Sequence, residues 1–404
     1  MSFTRVRVAT IGGVLVLPLM VSAGTAAVPA ETGNVGRDQP HAVEYVVAEL
    51  GPASGGTASA SNSINNIGWA AGTSTLPEGV VHATLWRDGM PTDLGTLGGP
   101  NSAVLWPNKN TNGLVVGVAE TAEMDPNGEA WSCSAFFPSE TGRVCLGFVW
   151  EDGEMRDLST FGGTHGFATG VNNDGLVVGW AETPRKDPSC TDRDQVLEFV
   201  GAVWDTRRGD RIRMLKPLPG DDSASTGNAI NDRGQVVGIS GSCDQAVGRL
   251  SARTAVLWHA ARGRPIDLGN FGSEAWNTPM AINNHTVVVG FANAADAEGA
   301  DFDAVPFRWT RLDGMQQLDT LEGEPNGQAL GINDHGLVGG LSRAERDTAV
   351  IWKGDEVIDL NDLTPGYDGH LDYAGDINDD GVITGGATSA DGQNVAFIAT
   401  PVDD

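Results

Sequence analysis

The sequence predicts an all-β fold, a seven-bladed β-propeller with four antiparallel strands per blade, and three observations lead there. One phrase, residues 168–180 (ATGVNNDGLVVGW), recurs at 229–239 (AINDRGQVVGI), 281–291 (AINNHTVVVGF), 331–341 (GINDHGLVGGL) and 376–386 (DINDDGVITGG). Degenerate copies stand at 63–73 (SINNIGWAAGT) and 109–119 (KNTNGLVVGVA), making seven at intervals of 45–62 residues. A fixed period in this range signals a solenoid, a propeller or an array. Each copy heads four short apolar segments separated by turn residues, the pattern of a four-stranded antiparallel unit. The last unit lacks its fourth strand and an orphan strand precedes the first, which a ring requires.

The first strand of each unit carries the Ile-Asn pair or its equivalent, as in 169–172. A turn of Asn, Asp and Gly follows (Asn173-Asp174-Gly175, Asp232-Arg233-Gly234, Asp334-His335-Gly336), residues that tolerate left-handed backbone angles. The second strand is a Val run: Val115-Val116, Val177-Val178, Val236-Val237 and 287–289. Unbroken β-branched residues without alternation imply a strand covered on both faces. The third strand ends on Trp at 82–86 (HATLW), 147–150, 201–204, 255–258, 306–309 and 349–352. After a tight turn such as Arg87-Asp88-Gly89 or Glu151-Asp152-Gly153, the fourth closes on Asp-Leu at 93–94, 157–158, 267–268 and 359–360.

The chain ends settle the architecture. The last unit stops at its third strand, AFIAT (396–400), and an orphan fourth strand, YVVAEL (45–50), precedes the first unit. Joining the two completes seven blades, closes the ring and removes open sheet edges.

At these residues the chain resembles a family, the extracellular HAF-repeat proteins of bacteria, whose repeat reads roughly INxxGxVVG, HAFLW and MxDLGTLGG. HATLW (82–86) and MPTDLGTLGG (90–99) match it closely, and the resemblance spans about residues 45–400. Only His82-Ala83 keeps the His-Ala pair, and the later blades lose the Gly-Gly. The resemblance implies an exported repeat protein and brings no catalytic residues with it.

Arg5 and Arg7 precede an apolar run at 8–21 that is too short to span a membrane, and Val28-Pro29-Ala30 is a plausible cleavage site. Residues 1–30 therefore read as a secretory signal peptide, 31–43 as a linker and 44–401 as the propeller, giving a secreted, extracellular protein. The formal net charge of −28 and pI near 4.4 repel phosphate backbones and anionic lipid heads. That argues against nucleic-acid and membrane partners and suits a soluble monomer. Four cysteines in an exported chain suggest two disulfides. Cys133 and Cys145 flank one loop, and Cys190 and Cys243 sit in comparable loops of successive blades, so these pairings are preferred among three. No CxxC or His-rich spacing accompanies them to favour a metal.

An up-down-up-down blade sorts its connections onto two faces. The 1–2 and 3–4 turns are short, whereas the opposite face carries the insertions at 120–146, 182–198, 241–253 and 292–305 together with all four cysteines. Loops fixed on a rigid scaffold are where binding usually sits. The recurring Trp150, Trp204, Trp258 and Trp352 read as inter-blade packing, and the recurring Asn as partners of local turn backbone. His165, Asp222, Trp276 and Asn326 do not recur. They fall in 4–1 connections, where they either ring the channel mouth as ligand-binding groups or serve as ordinary polar loop residues. Trp131, beside Cys133, either stacks on a sugar ring or covers the disulfide. Asp376, Asn378 and Asp380, with Gly381, open like a calcium loop, but Ala387 stands where the loop needs Glu, and a hairpin turn is favoured. Asp296, Glu298, Asp301 and Asp303 form a second acidic cluster. Calcium is the one cofactor these residues leave open.

No GxSxG, HExxH, P-loop or dinucleotide fingerprint is present. The leading expectation is a non-catalytic exported propeller that binds an extracellular protein or glycan through its loop-rich face. The alternative is a secreted polysaccharide lyase or glycoside hydrolase at the channel mouth, with His165 and Asp222 as acid and base; no evident Arg or Lys cluster is there to neutralise a uronate. A structural role in an envelope or spore coat would need no pocket.

Overall fold

A computed structural model describes residues 43–402 apart from 130–132, 134–135, 139, 191–194, 210, 245–247, 260–263 and 298–300. The segment read as a signal peptide, most of the segment read as a linker, Trp131 and Glu298 thus lie outside the described residues. Blade one comprises β2 (Ala58–Ile64), β3 (Ala70–Thr75), β4 (Val81–Arg87) and β5 (Met90–Asp93). Blade two has β6 (Gly98–Ala103), β7 (Val115–Met124), β8 (Arg143–Glu151) and β9 (Glu154–Asp157). Blade three has β10 (Gly166–Val171), β11 (Leu176–Lys186), β12 (Leu197–Asp205) and β13 (Arg211–Leu215). Blade four has β14 (Ala224–Ile230), β15 (Gln235–Gly241), β16 (Thr254–His259) and β17 (Ile266–Gly269). Blade five has β18 (Thr278–Ile282), β19 (Val288–Asn293), β20 (Ala304–Thr310) and β21 (Gly314–Gln317). Blade six has β22 (Asn326–Ile332), β23 (Val338–Arg343), β24 (Asp347–Lys353) and β25 (Glu356–Asp359). Blade seven holds β26 (His370–Ile377), β27 (Ile383–Thr388) and β28 (Asn394–Pro401). Its fourth strand is β1 (Tyr45–Leu50), antiparallel to β28 from Tyr45 opposite Pro401 to Leu50 opposite Ala396. The ring closes as the sequence predicts.

The recurring residues explain themselves in this frame. Between adjacent strands one and two the register slips by one residue in blades one and three to six, and twice by one residue in blade seven. Beside that bulge lies the glycine of the Val-Val-Gly run: a Cβ on Gly179, Gly238 or Gly385 would sit 1.8–1.9 Å from a carbonyl oxygen of the neighbouring strand. Only glycine permits that approach. The Trp residues are buried at blade boundaries. Trp204 packs with Val149 and Leu158 of the preceding blade, and its indole N–H donates to Ser159 O at 2.8 Å; Trp258 and Trp352 repeat the bond to Lys216 O and Asp319 O.

The turn Asn does more than the expected local bonding. Asn283 Oδ1 accepts from the His285 and Val287 N–H groups, while its Nδ2 donates to Asn333 O of the next blade at 3.0 Å. The same inter-blade bond runs from Asn172 to Asn231, Asn231 to Asn283, Asn333 to Asn378, Asn378 to Asn65 and Asn65 to Asn110. Between blades two and three the pattern changes. Asn110 Nδ2 donates to its own Leu114 O, and Asn112 Nδ2 reaches Asn173 O instead.

Blade two is irregular in a second way. Its strand β6 ends at Ala103, and residues 104–114, which include Pro107 and the start of the degenerate phrase, lie outside any strand. Lys109 then occupies the place held by Ile64, Val171, Ile230, Ile282, Ile332 and Ile377 in the other blades. Its Nζ lies 2.6 Å from Asp376 Oδ1 and donates to Ile377 O at 2.6 Å, reaching across blade one to blade seven. Asp376 in turn stands where other blades have Ser63, Gly170, Ala229, Ala281 or Gly331. Two departures from the repeat therefore answer each other as an ion pair.

Candidate functional site

The two disulfides are Cys133–Cys145 and Cys190–Cys243, as preferred from the sequence. The first ties the blade-two insertion to β8; the second joins the insertions of blades three and four. Buried carboxylates add further ties. Strands β7 and β11 both run on into an Ala-Glu-Thr triplet, so that Glu120 and Glu182 take equivalent places. Glu120 Oε2 accepts from the Asn101 N–H and side-chain amide. Glu182 Oε2 accepts from the Thr164 and His165 N–H groups, and its Oε1 from Gln195. From the blade-two insertion, Glu129 Oε1 accepts the Val196 and Leu197 N–H groups of blade three at 2.9 and 2.6 Å. One insertion thus holds the next through a carboxylate gripped by backbone donors.

His165 lies inside this cluster, wholly buried. Its Nδ1 accepts the Cys145 N–H at 3.1 Å, and its Nε2 faces Asp125 Oδ2 at 3.5 Å without a hydrogen bond. Burial favours the neutral ring, but the Asp125 contact and the charges of Glu182, Asp125 and Glu129 raise its pKa. The Cys145 N–H opposes that shift, since a doubly protonated ring keeps no lone pair to accept it. Burial also works against the Asp125 carboxylate, yet His165 and the N–H groups of Asn127 and Glu129 hold its pKa below the usual range. Burial first, and then the Glu182 charge, push Glu129 up.

Asp125, Glu129 and His165 bring three potential ligand atoms within 4.8 Å of one another, spacing that suits a metal. The hydrogen bonding does not. With Nδ1 accepting an N–H, a neutral His165 must carry its proton on Nε2, the atom an ion would need unprotonated. Both Glu129 oxygens and both Asp125 oxygens already accept hydrogen bonds, from Val196, Leu197 and Asn127 and from Asn127 and Glu129. The cluster reads as a polar brace.

The other sequence candidates have equally specific surroundings. Asp222 accepts from Ser240 Oγ and pairs with Arg253 at 3.0 Å; it shares no partner with His165. Trp276 is 2 % exposed, with a left-handed φ of 61°, and packs edge-on to Phe302. Asn326 is the first residue of β22, and its Nδ2 donates to Asp303 Oδ1 and Ala304 O. His165 and Asn326 do the same work as Asn101, which accepts the Val81 N–H, and His370, which bonds Asp347 O. In each case a polar side chain entering strand one ties the start of the preceding blade's third strand. In the proposed calcium loop, Asp376 is taken by Lys109 and the Ile64 N–H, Asn378 by Val382 and Asn65, and Asp380 lies in an exposed turn. Of the second acidic cluster, Asp301 O accepts from Asn293, and Asp303 is the partner of Asn326.

What the sequence reading missed is a recess of about 360 Å³ on this face, lined by Arg185, Lys186, Asp187, Ser189, Glu198, Asp221 and neighbouring Pro188 and Ser223. It lies beside Cys190, whose disulfide fixes one wall; Ser189 Oγ also accepts the Cys243 N–H and meets Ser223 Oγ at 3.0 Å. The recess brings two cations to a face where no basic cluster was evident in the sequence. They are neighbours in the sequence at the end of β11, and the recess sets them beside Asp221 and Ser223 of the connection that leads into β14.

Neither a protein-family model nor a curated protein matches the sequence. Among solved structures the chain is similar to a streptogramin B lyase, at 8 % identity over 88 % of this chain and 98 % of that one, TM-score 0.47. It is similar to a puromycin-hydrolysing peptidase of Mycobacterium tuberculosis at 10 % identity, covering 90 % of this chain and 55 % of that one, TM-score 0.47. It is also similar to the extracellular domain of a one-component system protein of B. thetaiotaomicron at 7 % identity, covering 87 % and 39 %, TM-score 0.46. Likeness at this level carries nothing about ligand or reaction.

Proposed function

We propose that the protein is an exported, non-catalytic propeller of the HAF-repeat kind whose loop-rich face over blades two to four binds a polar ligand, protein or glycan. The observation that carries this reading is the bracing of the insertions. Two disulfides and the Glu129 tie hold three long loops together, and the middle one lines a recess of charged and hydroxyl groups. Rigid loops lose little entropy on binding, which is the use of such a brace. Disulfides also point to an oxidising compartment, in keeping with export, and no helix among the described residues is long and apolar enough to cross a membrane. The enzyme reading draws no support from His165 and Asp222, whose partners differ.

The test is a binding screen of the oxidised protein against a glycan array and a panel of extracellular proteins and peptides, repeated with the recess variant matched to the ligand's charge, Arg185→Ala/Lys186→Ala for an anionic or neutral ligand and Asp187→Asn/Asp221→Asn for a cationic one. At least one ligand should be retained and then lost, by about tenfold or more in affinity, in the variant. No ligand on any panel, or binding indifferent to the variant and sensitive to changes on the opposite face, contradicts the reading.

A further inference from the structure

The recess holds an unmet charge. Its lining sets two cations, Arg185 and Lys186, against three carboxylates, Asp187, Glu198 and Asp221. Arg185 and Glu198 cancel in a two-pronged pair, Nε to Oε2 and Nη2 to Oε1, each at 2.9 Å. Lys186 and Asp221 are exposed. Asp187 is the informative group. It is 9 % exposed, its Oδ1 accepts the Ser189 N–H and hydroxyl, and its Oδ2 is buried with no hydrogen-bond partner among the described residues. Buried carboxylate oxygens normally have donors, so an unpartnered one in the lining of a recess is open to a donor from outside.

We propose that the recess receives the basic side chain of a peptide, a Lys ammonium or an Arg guanidinium, with Asp187 Oδ2 and Asp221 as its acceptors. This deepens the reading of the loop face as a binding surface and rests on it. Several features fit a cationic side chain. Both groups carry only donors, which complements the Asp187 and Asp221 carboxylates left over once Arg185 pairs with Glu198, and the linked hydroxyls of Ser189 and Ser223. Charge-assisted bonds of this kind are the strong ones. A volume of about 360 Å³ suits a side chain with its flanking backbone. The net charge of −28 steers cationic chains toward the surface without deciding where they dock. The acceptor is also held in place. The Asp187 N–H donates to Val196 O, the Cys190 N–H to Asp187 O, and Cys190 is bonded to Cys243.

The experiment titrates a fluorescent peptide of alternating Lys and Gly into the oxidised protein at physiological salt. Wild type is compared with Asp187→Asn, Asp221→Asn and the control Asp88→Asn/Asp152→Asn, which removes two exposed charges from turns of the opposite face. Asp187→Asn keeps Oδ1 for Ser189 and alters only the unpartnered oxygen. Wild type should bind; each recess variant should weaken binding about fivefold or more, and the control less than about twofold. Asp221 is exposed, so Asp221→Asn keeps the test decisive if Asp187→Asn does not fold. Equal losses in control and recess variants would reveal bulk charge attraction and overturn the proposal. So would unchanged binding in the recess variants, or preference for a neutral or acidic peptide or an amino-sugar oligomer. A different ligand bound through the loop face, with no basic peptide bound, overturns this inference and leaves the broader reading intact.

Discussion

Glu129 is the residue on which the bracing of the insertions most depends, and its chemistry is open to titration. Its carboxylate is buried, grips two backbone N–H groups of the next blade, and stands near Glu182. Because its pKa is raised in the folded state, its contribution to stability is complete below the unfolded value near 4.5 and is lost as pH rises through the higher folded value. Glu129→Gln keeps an oxygen for Val196 and Leu197 and removes the disfavoured charge. As pH rises from below the unfolded value near 4.5 to above the raised folded value, the wild type should therefore lose Tm relative to Glu129→Gln. A difference that stays constant with pH contradicts the assignment. The signal for the related Glu120 and Glu182 was visible as an Ala-Glu-Thr triplet shared by two blades only, but a motif recurring twice is easily passed over beside one recurring seven times.

Strands were legible because their causes are local and repeated. The Val runs, the Trp ends and the Gly beside each bulge carry the same physics in most blades, and the split blade announced itself as an orphan strand before the first unit and a missing fourth strand in the last. The connections were less legible. His165 and Asn326 looked singular because their identities do not recur, yet the position does: a polar side chain entering strand one bonds the preceding blade, whether the residue is Asn101, His165, Asn326 or His370. Geometry repeats there without the residue type. The double use of Asn was half visible, since its turn bonding is local and its bond to the next blade exists only once the ring is formed. Blade two departs from the others in its inner segment, where β6 stops at Ala103 and Lys109 replaces the usual Ile or Val. The recess escaped notice because its lining comes from β11, β12 and the link to β14, segments up to 38 residues apart (Arg185 to Ser223).

At the scale of the whole ring, every blade is stitched to the next by side-chain amides, and the Lys109–Asp376 pair adds a tie across blade one between blade two and the closing blade. Removing one partner of a buried ion pair is costly. Lys109→Ala should destabilise by about 2–3 kcal/mol in urea unfolding, below the usual range because Lys109 is partly exposed. Lys109→Ile with Asp376→Ala restores the residues other blades carry at both places and should cost less than Lys109→Ala alone. A double variant at least as damaging as the sum of the singles contradicts the reading of mutual compensation. The central claim, that ligand is held on the braced face over blades two to four, is tested most directly by hydrogen exchange with and without a ligand retained from the binding screen. Amides at 183–190, 196–199 and 221–223 should exchange more slowly with ligand present. Slowing confined to the opposite turns at 173–175, 232–234 and 334–336 would contradict it.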